Sequence, residues 1–543
     1  MKITLIRCPQ PKLIGTKTGV RYGPNRELAP EPSLPVVKGI LDQYSVDLKQ
    51  KIVVDILDLR YPKNGTLTEF IYDTLELPYI NEKINKVYYG ISIEEVFEKI
   101  KDSNIIGFTN NFTMSRNIVL MNIKKIRELL PNVEIWVGGR DVYTKKIEEL
   151  YLKATNYKNV VIFRGHTFFS LPEYLNWKIK AKKIPDGIVY YNINGEKIID
   201  TQQASLKEKS NNQELNLPLP SYPNPEELSY FKGSGEGMPD FENDFQRFAH
   251  LTISFGCPNQ CGYCTTGYRE RYLVYKNKDC LKKELDLLKS LNVKTIAIMD
   301  DNLLVIKRDI LIDYMNLINS YGFDIEYGNG LQLSILKNNW DELKDQVLKN
   351  CVSLYCPLED LTQNKFYEKL DPIKNQLDLM RLIVKYSQNT RMKYLTMGVI
   401  IGVPEHTKEK LHSKAKSNMI KFLNVFKNSK LKVAITVFNF MPLIGTLFGD
   451  IALNSDKMIL DAIEKDPEII NFEIASYIPE NMKPEDVPNA YEELLNLNPA
   501  GKSFGVSYFK IKRFGIDAFP ESSKPKVPIA WYSAGMHYRD NVS

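Results

Sequence analysis

At 543 residues the chain is too long for one hydrophobic core, and roughly 100–200 residues per domain suggests about three domains. Hydrophobic residues make up 43% and charged residues 25%, which excludes the low-hydrophobicity, high-charge composition of disordered chains. The net charge of +6 comes with lysines interleaved among acids, as in "KKELDLLKSLNVK", so no basic tract points to a nucleic-acid partner.

The start, "MKITLIRCPQPKLIG", lacks the long apolar segment and small-residue cleavage site of a signal peptide. Apolar runs such as "TMGVIIGV" fall short of the ~20 residues of a membrane helix, so the expectation is a cytoplasmic protein with no membrane partner. Seven cysteines, three of them clustered, fit thiols kept reduced for metal or catalysis better than a disulfide framework.

Buried parallel strands read as short apolar runs and the helices between them as 3.6-residue patterns. In chain order, "KITLIRC" (2–8), "KIVVDILDL" (51–59), "NIIGFTN" (104–110), "VEIWVGG" (133–139) and "VVIFRG" (160–165) are strands. Helices are expected at 33–44, 93–101 and 114–130. This alternation predicts a doubly wound α/β domain with its ligand beyond the carboxyl ends of the strands. Those ends carry "TNNFT" (109–113), "GGRD" (138–141) and "RGH" (164–166), where paired glycines allow close ligand approach or simply make tight turns. No G-x-G-x-x-G follows the first strand, so a dinucleotide is not indicated. A hairpin turning at Asn194-Gly195 (186–200) and a polar, proline-bearing linker (210–240) come next.

From 251 the alternation resumes with "LTISFG" (251–256), 293–300, 324–330, 351–359, 393–404 and 432–443. Six βα-type units predict an incomplete TIM-like barrel with its site at the strands' carboxyl ends. Directly after the first of these strands stands "GCPNQCGYC", residues 256–264. A structural zinc site closes four ligands, often as two C-x-x-C pairs, and no second pair occurs here. Three thiolates, Cys257, Cys261 and Cys264, instead suit a four-iron cluster with one iron left open for a substrate or cofactor. The other four cysteines read as core residues.

C-x-x-x-C-x-x-C with an aromatic before the last cysteine, here Tyr263, resembles the signature of radical S-adenosylmethionine (SAM) enzymes. The resemblance implies one 4Fe-4S cluster whose open iron binds SAM, and reductive cleavage of SAM to a 5′-deoxyadenosyl radical. It extends to "IMDDN" (298–302), "PLED" (357–360) and "GVIIGVPE" (398–405), which implies Asp300, Asp301, Glu359, Gly398, Gly402 and Glu405 as SAM contacts beside Tyr263, with Gln332 as a further candidate. Two departures stand out: "MDDN" replaces the commoner Gly-Gly-Glu, and Pro357 lies near the usual glycine.

The order of segments, ending in "MPLIGT" (441–446), is similar to that of the cobalamin-dependent radical SAM enzymes over about residues 1–450. That implies a Rossmann-like cobalamin-binding domain (1–185), a hairpin and linker (186–245) and a partial (β/α)6 radical SAM barrel (246–450). Residues 451–543 match no motif and are expected as a small α+β C-terminal region, in which "PEDVPNAYEELL" reads as a helix and the aromatic-rich end, with "SYFKIKRFG" and "AWYSAGMHY", caps the site or packs on the barrel. Asn110, Asn111, Thr113, Gly138, Gly139, Arg140 and Gly165 become the implied cobalamin contacts. With no Asp-x-His-x-x-Gly in the first domain, no imidazole is expected below the cobalt, and His166 is expected as a surface-loop residue. The function so implied is methylation of an unactivated carbon of a peptide or small molecule, with an electron donor such as flavodoxin or ferredoxin. Cobalamin-dependent cyclisation or rearrangement is the alternative, and a non-catalytic cofactor-binding sensor the alternative of another class. A methylthiotransferase is disfavoured because Cys8 is the only cysteine of the first domain.

Overall fold

A computed structural model describes residues 1–19, 21–22, 33–48, 51–60, 66–142, 144–180, 183–202, 213–222, 247–266, 272–363 and 372–497. The five expected strands of the first half form β1 (Lys2–Arg7), β4 (Val53–Asp58), β7 (Ile105–Thr109), β8 (Glu134–Gly138) and β9 (Val160–Phe163), all parallel. Helices cover both faces, so these runs are apolar almost throughout. The adjacent residues Ile105 and Ile106 belong to different cores on opposite faces, as the two-residue period of a strand requires. The predicted hairpin forms β10 (Ile188–Tyr191) and β11 (Lys197–Asp200), with Gly195 at φ +82° in its turn, and joins β9 antiparallel. The order is β11-β10-β9-β8-β7-β1-β4, so the connection reverses between β1 and β7, where a doubly wound sheet opens its ligand crevice.

A four-stranded antiparallel sheet was not expected: β2 (Lys12–Gly15), β3 (Arg21–Tyr22), β5 (Thr68–Glu76) and β6 (Lys83–Gly90). Most of β5 is solvent-facing, so no apolar run announces it. Its buried side packs Leu13, Leu75, Leu77 and Ile84 against Ala462, Ile469, Ile470 and Ile474, so residues far along the chain complete this core. The helix expected at 93–101 shrinks to Phe97–Ile100.

In the second half, β13 (Phe248–Leu251), β16 (Thr295–Ile298), β17 (Asp324–Tyr327), β18 (Cys351–Glu359), β19 (Tyr394–Ile401) and β20 (Lys432–Asn439) form a parallel sheet in sequence order. Leu354, Cys356 and Leu358 join the core that the surrounding helices share, which turns Ser353, Tyr355 and Pro357 to the other face. The expected first strand at 251–256 needs correction. The sheet strand ends at Leu251, and Ser254–Phe255 is a separate strand, β14, paired antiparallel with β15 (Val274–Lys276), beside which β12 (Gln213–Leu215) runs parallel. The cause is Asp300, whose carboxylate accepts from the backbone N–H of Ile253 (2.9 Å) and Ser254 (2.6 Å) and turns the chain out of the sheet.

Helix Asp486–Leu495, expected from "PEDVPNAYEELL", buries Val487, Ala490, Tyr491 and Leu494 in the same core. The aromatic segments "SYFKIKRFG" and "AWYSAGMHY", like most of the linker, lie outside the described residues. Among the described residues no helix is long and apolar enough to cross a membrane.

Candidate active site between the two parallel sheets

The cysteine loop leaves β14 through Gly256, whose φ of +88° would strain any residue with a Cβ. Cys257 and Cys261 are buried and Cys264 half-buried, and none of the three is in a disulfide bond. The loop closes on itself through the Cys264 N–H, which donates to the Cys261 carbonyl (2.9 Å). Behind it stands the helix Leu447–Leu453: the Phe448 N–H donates to the Gly262 carbonyl (2.8 Å), and a Cβ on Gly262 would meet the Phe448 ring at 3.1 Å. Among the described residues no three His, Cys, Asp or Glu side chains converge on a point that could hold a single metal ion. A cubane fits a loop of this kind, because each thiolate binds a different iron and the sulfurs stay apart.

Each residue of Asp300-Asp301-Asn302 braces a different part of that loop. Asp300 is buried, holds Ile253 and Ser254, and has its carboxyl pushed up to about 6 by burial, which those hydrogen bonds only partly offset. Asp301 accepts from the Gly256 N–H (3.3 Å) and the Thr266 hydroxyl (3.1 Å), and pairs with Arg140 of the first sheet's mouth (3.0 Å). The Asn302 amide lies 3.8 Å from the Cys257 sulfur and donates to Gln332 Oε1 (2.7 Å).

Glu359 ends β18 in the left-handed region, φ +60°, a conformation that costs a non-glycine residue about 1–3 kcal/mol and often marks a functional position. It is buried against Tyr263, whose phenol is pushed well up by burial and then by the Glu359 charge. Gly398 lies under the Tyr355 phenol, which a Cβ would strike, and Gly330 lies on the other side, where a Cβ would sit 2.8 Å from the Tyr355 ring. Gly402, at φ +79°, faces Val487 of the C-terminal helix and gives its N–H to His406 Nδ1 (3.0 Å). Glu405 is exposed, while its neighbour His406 is buried with Nε2 donating to Asp360 Oδ1 (3.1 Å). The His406 partner holds the Asp360 carboxyl down against the opposing effect of burial.

At the first sheet's mouth, Gly139 has φ +111°, and a Cβ there would collide with the Asn110 carbonyl. The Asn110 N–H donates to the Gly138 carbonyl (2.9 Å), and its side-chain amide donates to Tyr151 (2.8 Å) and Asp141 (3.2 Å). Asn110 is thus an internal brace. Asn111 accepts from the Arg140 N–H (3.2 Å), and Thr113 opens the short helix Thr113–Ser115. Gly165 turns at φ +79° into His166. His166 is half-buried and not a bare surface residue: it stacks on Phe168 (4.8 Å) and meets the edges of Phe255 (5.4 Å) and Tyr272 (6.2 Å). This aromatic group joins the mouth of the first sheet to the strand that leads into the cysteine loop.

Sequence reasoning passed over Asn259, Asn302, Tyr355, Asp360, His406 and Phe448. Asn302 was visible inside "MDDN" and His406 directly after Glu405, but their partners lie on other strands and leave no local signal.

No protein-family model matches the chain. The ribosomal protein uS12 methylthiotransferase RimO of Protochlamydia amoebophila is 25% identical over 174 residues, 30% of this chain and 36% of that protein. The tRNA-2-methylthio-N(6)-dimethylallyladenosine synthase of Clostridium botulinum is 23% identical over 317 residues, 53% of this chain and 56% of that protein. The matches thus span from about a third to somewhat over half of these relatives' length. Among solved structures, the cobalamin-dependent S-adenosylmethionine radical enzyme OxsB superposes with TM-score 0.58 at 14% identity, over 90% of this chain and 65% of its own. TsrM from Kitasatospora setae, a radical SAM methyltransferase with cobalamin and a 4Fe-4S cluster bound, superposes with TM-score 0.55 at 12% identity, over 91% and 85%. Both solved structures are of radical SAM enzymes, and the chain shares their fold. It follows these two structures over nine-tenths of its own length.

Proposed function

We propose that this protein is a cobalamin-dependent radical SAM enzyme that methylates an unactivated carbon of a peptide or small-molecule substrate. One observation carries the reading: Asp301 holds the cysteine loop through Gly256 and Thr266 and reaches across to Arg140 (3.0 Å), so the two sheet mouths face each other. Chemistry passing between two cofactors needs that juxtaposition. When bound, a cluster with SAM supplies the deoxyadenosyl radical and cobalamin supplies the methyl group.

Cys257, Cys261 and Cys264 would hold the cluster. Asn302 Oδ1, buried without a hydrogen bond among the described residues, is an acceptor ready for the SAM amino group. Tyr263 and Glu359 wall the site, and the Asn111, Gly139 and Arg140 turn would carry cobalamin. Phe448 of the helix Leu447–Leu453 packs in one apolar cluster with Tyr263 and would shield that side of the loop from water. Reduction of the cluster requires a low-potential donor, for which flavodoxin or ferredoxin is the natural class.

A methylthiotransferase, the activity in the names of the curated relatives, fits the first domain less well. Cys8, its only cysteine, is buried beside Asn122 with its thiol pushed far up by burial. Radical chemistry without methyl transfer stays as the second reading, because OxsB is described only as a radical enzyme.

The test follows the fate of SAM. With substrate, S-adenosylhomocysteine and 5′-deoxyadenosine should form in nearly equal amounts, and deuterium from the SAM methyl should enter the product. An unlabelled turnover product would favour rearrangement, and a protein yielding neither SAM product would be a binding module.

A further inference from the structure

We propose that Asn302 is a positioning residue for the Cys257 thiolate: an amide clamp of Asn302, Gln332 and Asn259 aims an N–H at that sulfur and raises the reduction potential of the cluster. The inference rests on the cluster reading above.

Asn302 directly precedes the short helix Leu303–Val305 with an extended backbone, the place where an asparagine ordinarily accepts a capping bond through Oδ1. It makes no such bond. Its Nδ2 donates to Gln332 Oε1 (2.7 Å) and stands 3.8 Å from Cys257 Sγ. Gln332 Oε1 also accepts from Asn259 Nδ2 (3.1 Å), on the loop between Cys257 and Cys261, while Gln332 Nε2 donates to Ser334 (3.2 Å). One carbonyl therefore gathers two amides from separate segments, and the second N–H of Asn302 is left for the sulfur. Asn302 is 5% exposed, so water does not compete for that N–H. An N–H on a ligating sulfur stabilises the more negative, reduced cluster over the oxidised one, and such bonds are among the factors that set cluster potentials.

The experiment compares wild type, Asn302→Leu and Gln332→Leu after anaerobic reconstitution, by iron analysis and a redox titration followed by EPR. Wild type should carry about four irons per chain. Asn302→Leu should titrate at a more negative midpoint with altered g values of the reduced cluster. Gln332→Leu, one hydrogen bond removed from the sulfur, should move the same way by less, since the Asn302 amide loses only its orientation. A wild-type midpoint in Asn302→Leu at full iron content overturns the clamp. If Asn302→Leu fails to take up iron, Gln332→Leu decides, and an unshifted midpoint there overturns the clamp as well. Wild type without iron would instead sink the cluster reading, and the clamp with it.

Discussion

Asp300 sits where the radical SAM resemblance places a ligand contact, yet its carboxylate is engaged by the backbone of Ile253 and Ser254. Burial raises its pKa to about 6, against roughly 3.9 for an unfolded aspartate. Between these values the folded chain holds a proton on Asp300 that the unfolded chain has released, so this group's contribution to stability is greatest below about pH 4 and falls as pH rises towards 6. A shift of about two units corresponds to roughly 3 kcal/mol at most. Asp300→Asn removes this titration while keeping an acceptor. Its melting temperature should therefore change less than that of wild type between pH 4 and 6, and two parallel profiles would contradict the assignment.

Among the elements, the antiparallel sheet shows what a buried charge demands. Lys86 on β6 is fully buried and meets Asp466 (2.6 Å), Asp73 (3.0 Å) and Glu468 (3.3 Å), while Glu468 also accepts from Tyr72 (2.8 Å) and Asn117 (2.8 Å). Next to it, Arg116 pairs with Asp141 and donates to the Ile463 carbonyl (2.6 Å). Lys86→Met leaves buried carboxylates uncompensated, and should cost about 3–5 kcal/mol in urea unfolding and speed proteolysis around residues 455–480. Breaking the exposed Lys282–Asp286 pair with Lys282→Ala should cost under about 1 kcal/mol in the same assay. Equal losses in the two variants would mean that the cluster of charges is not what fastens this segment.

Across the whole molecule, the Arg140–Asp301 pair links the two sheet mouths, and residues 463–468 strap the C-terminal region to the first sheet's helix Arg116–Leu129. Arg140 is 44% exposed, so the bridge adds little stability, about 0–1 kcal/mol. Its consequence is geometric. Arg140→Met should melt close to wild type but retain less cobalamin through purification, measured as cobalt per chain. Undiminished cobalt would remove Arg140 from the cobalamin site.

The sequence alone carried what is local. The strands beginning at Ile105, Glu134 and Val160 were legible because parallel strands covered on both faces must be apolar throughout, and Cys257, Cys261 and Cys264 were legible because three thiolates on one loop need only spacing. Tertiary structure decided the rest, because periodicity records that a face is buried and not which segment buries it. Strand β5 is mostly exposed and its one buried residue, Leu75, is covered from residues 462–474, so no window around residues 68–76 could reveal it. The run at 251–256 is apolar enough for one strand, and Asp300, over forty residues later, divides it. The partners of Gly398, Gly402 and Asn302, namely Tyr355, Val487 and Gln332, arrive from other strands and helices, so only the folded chain shows what these positions face.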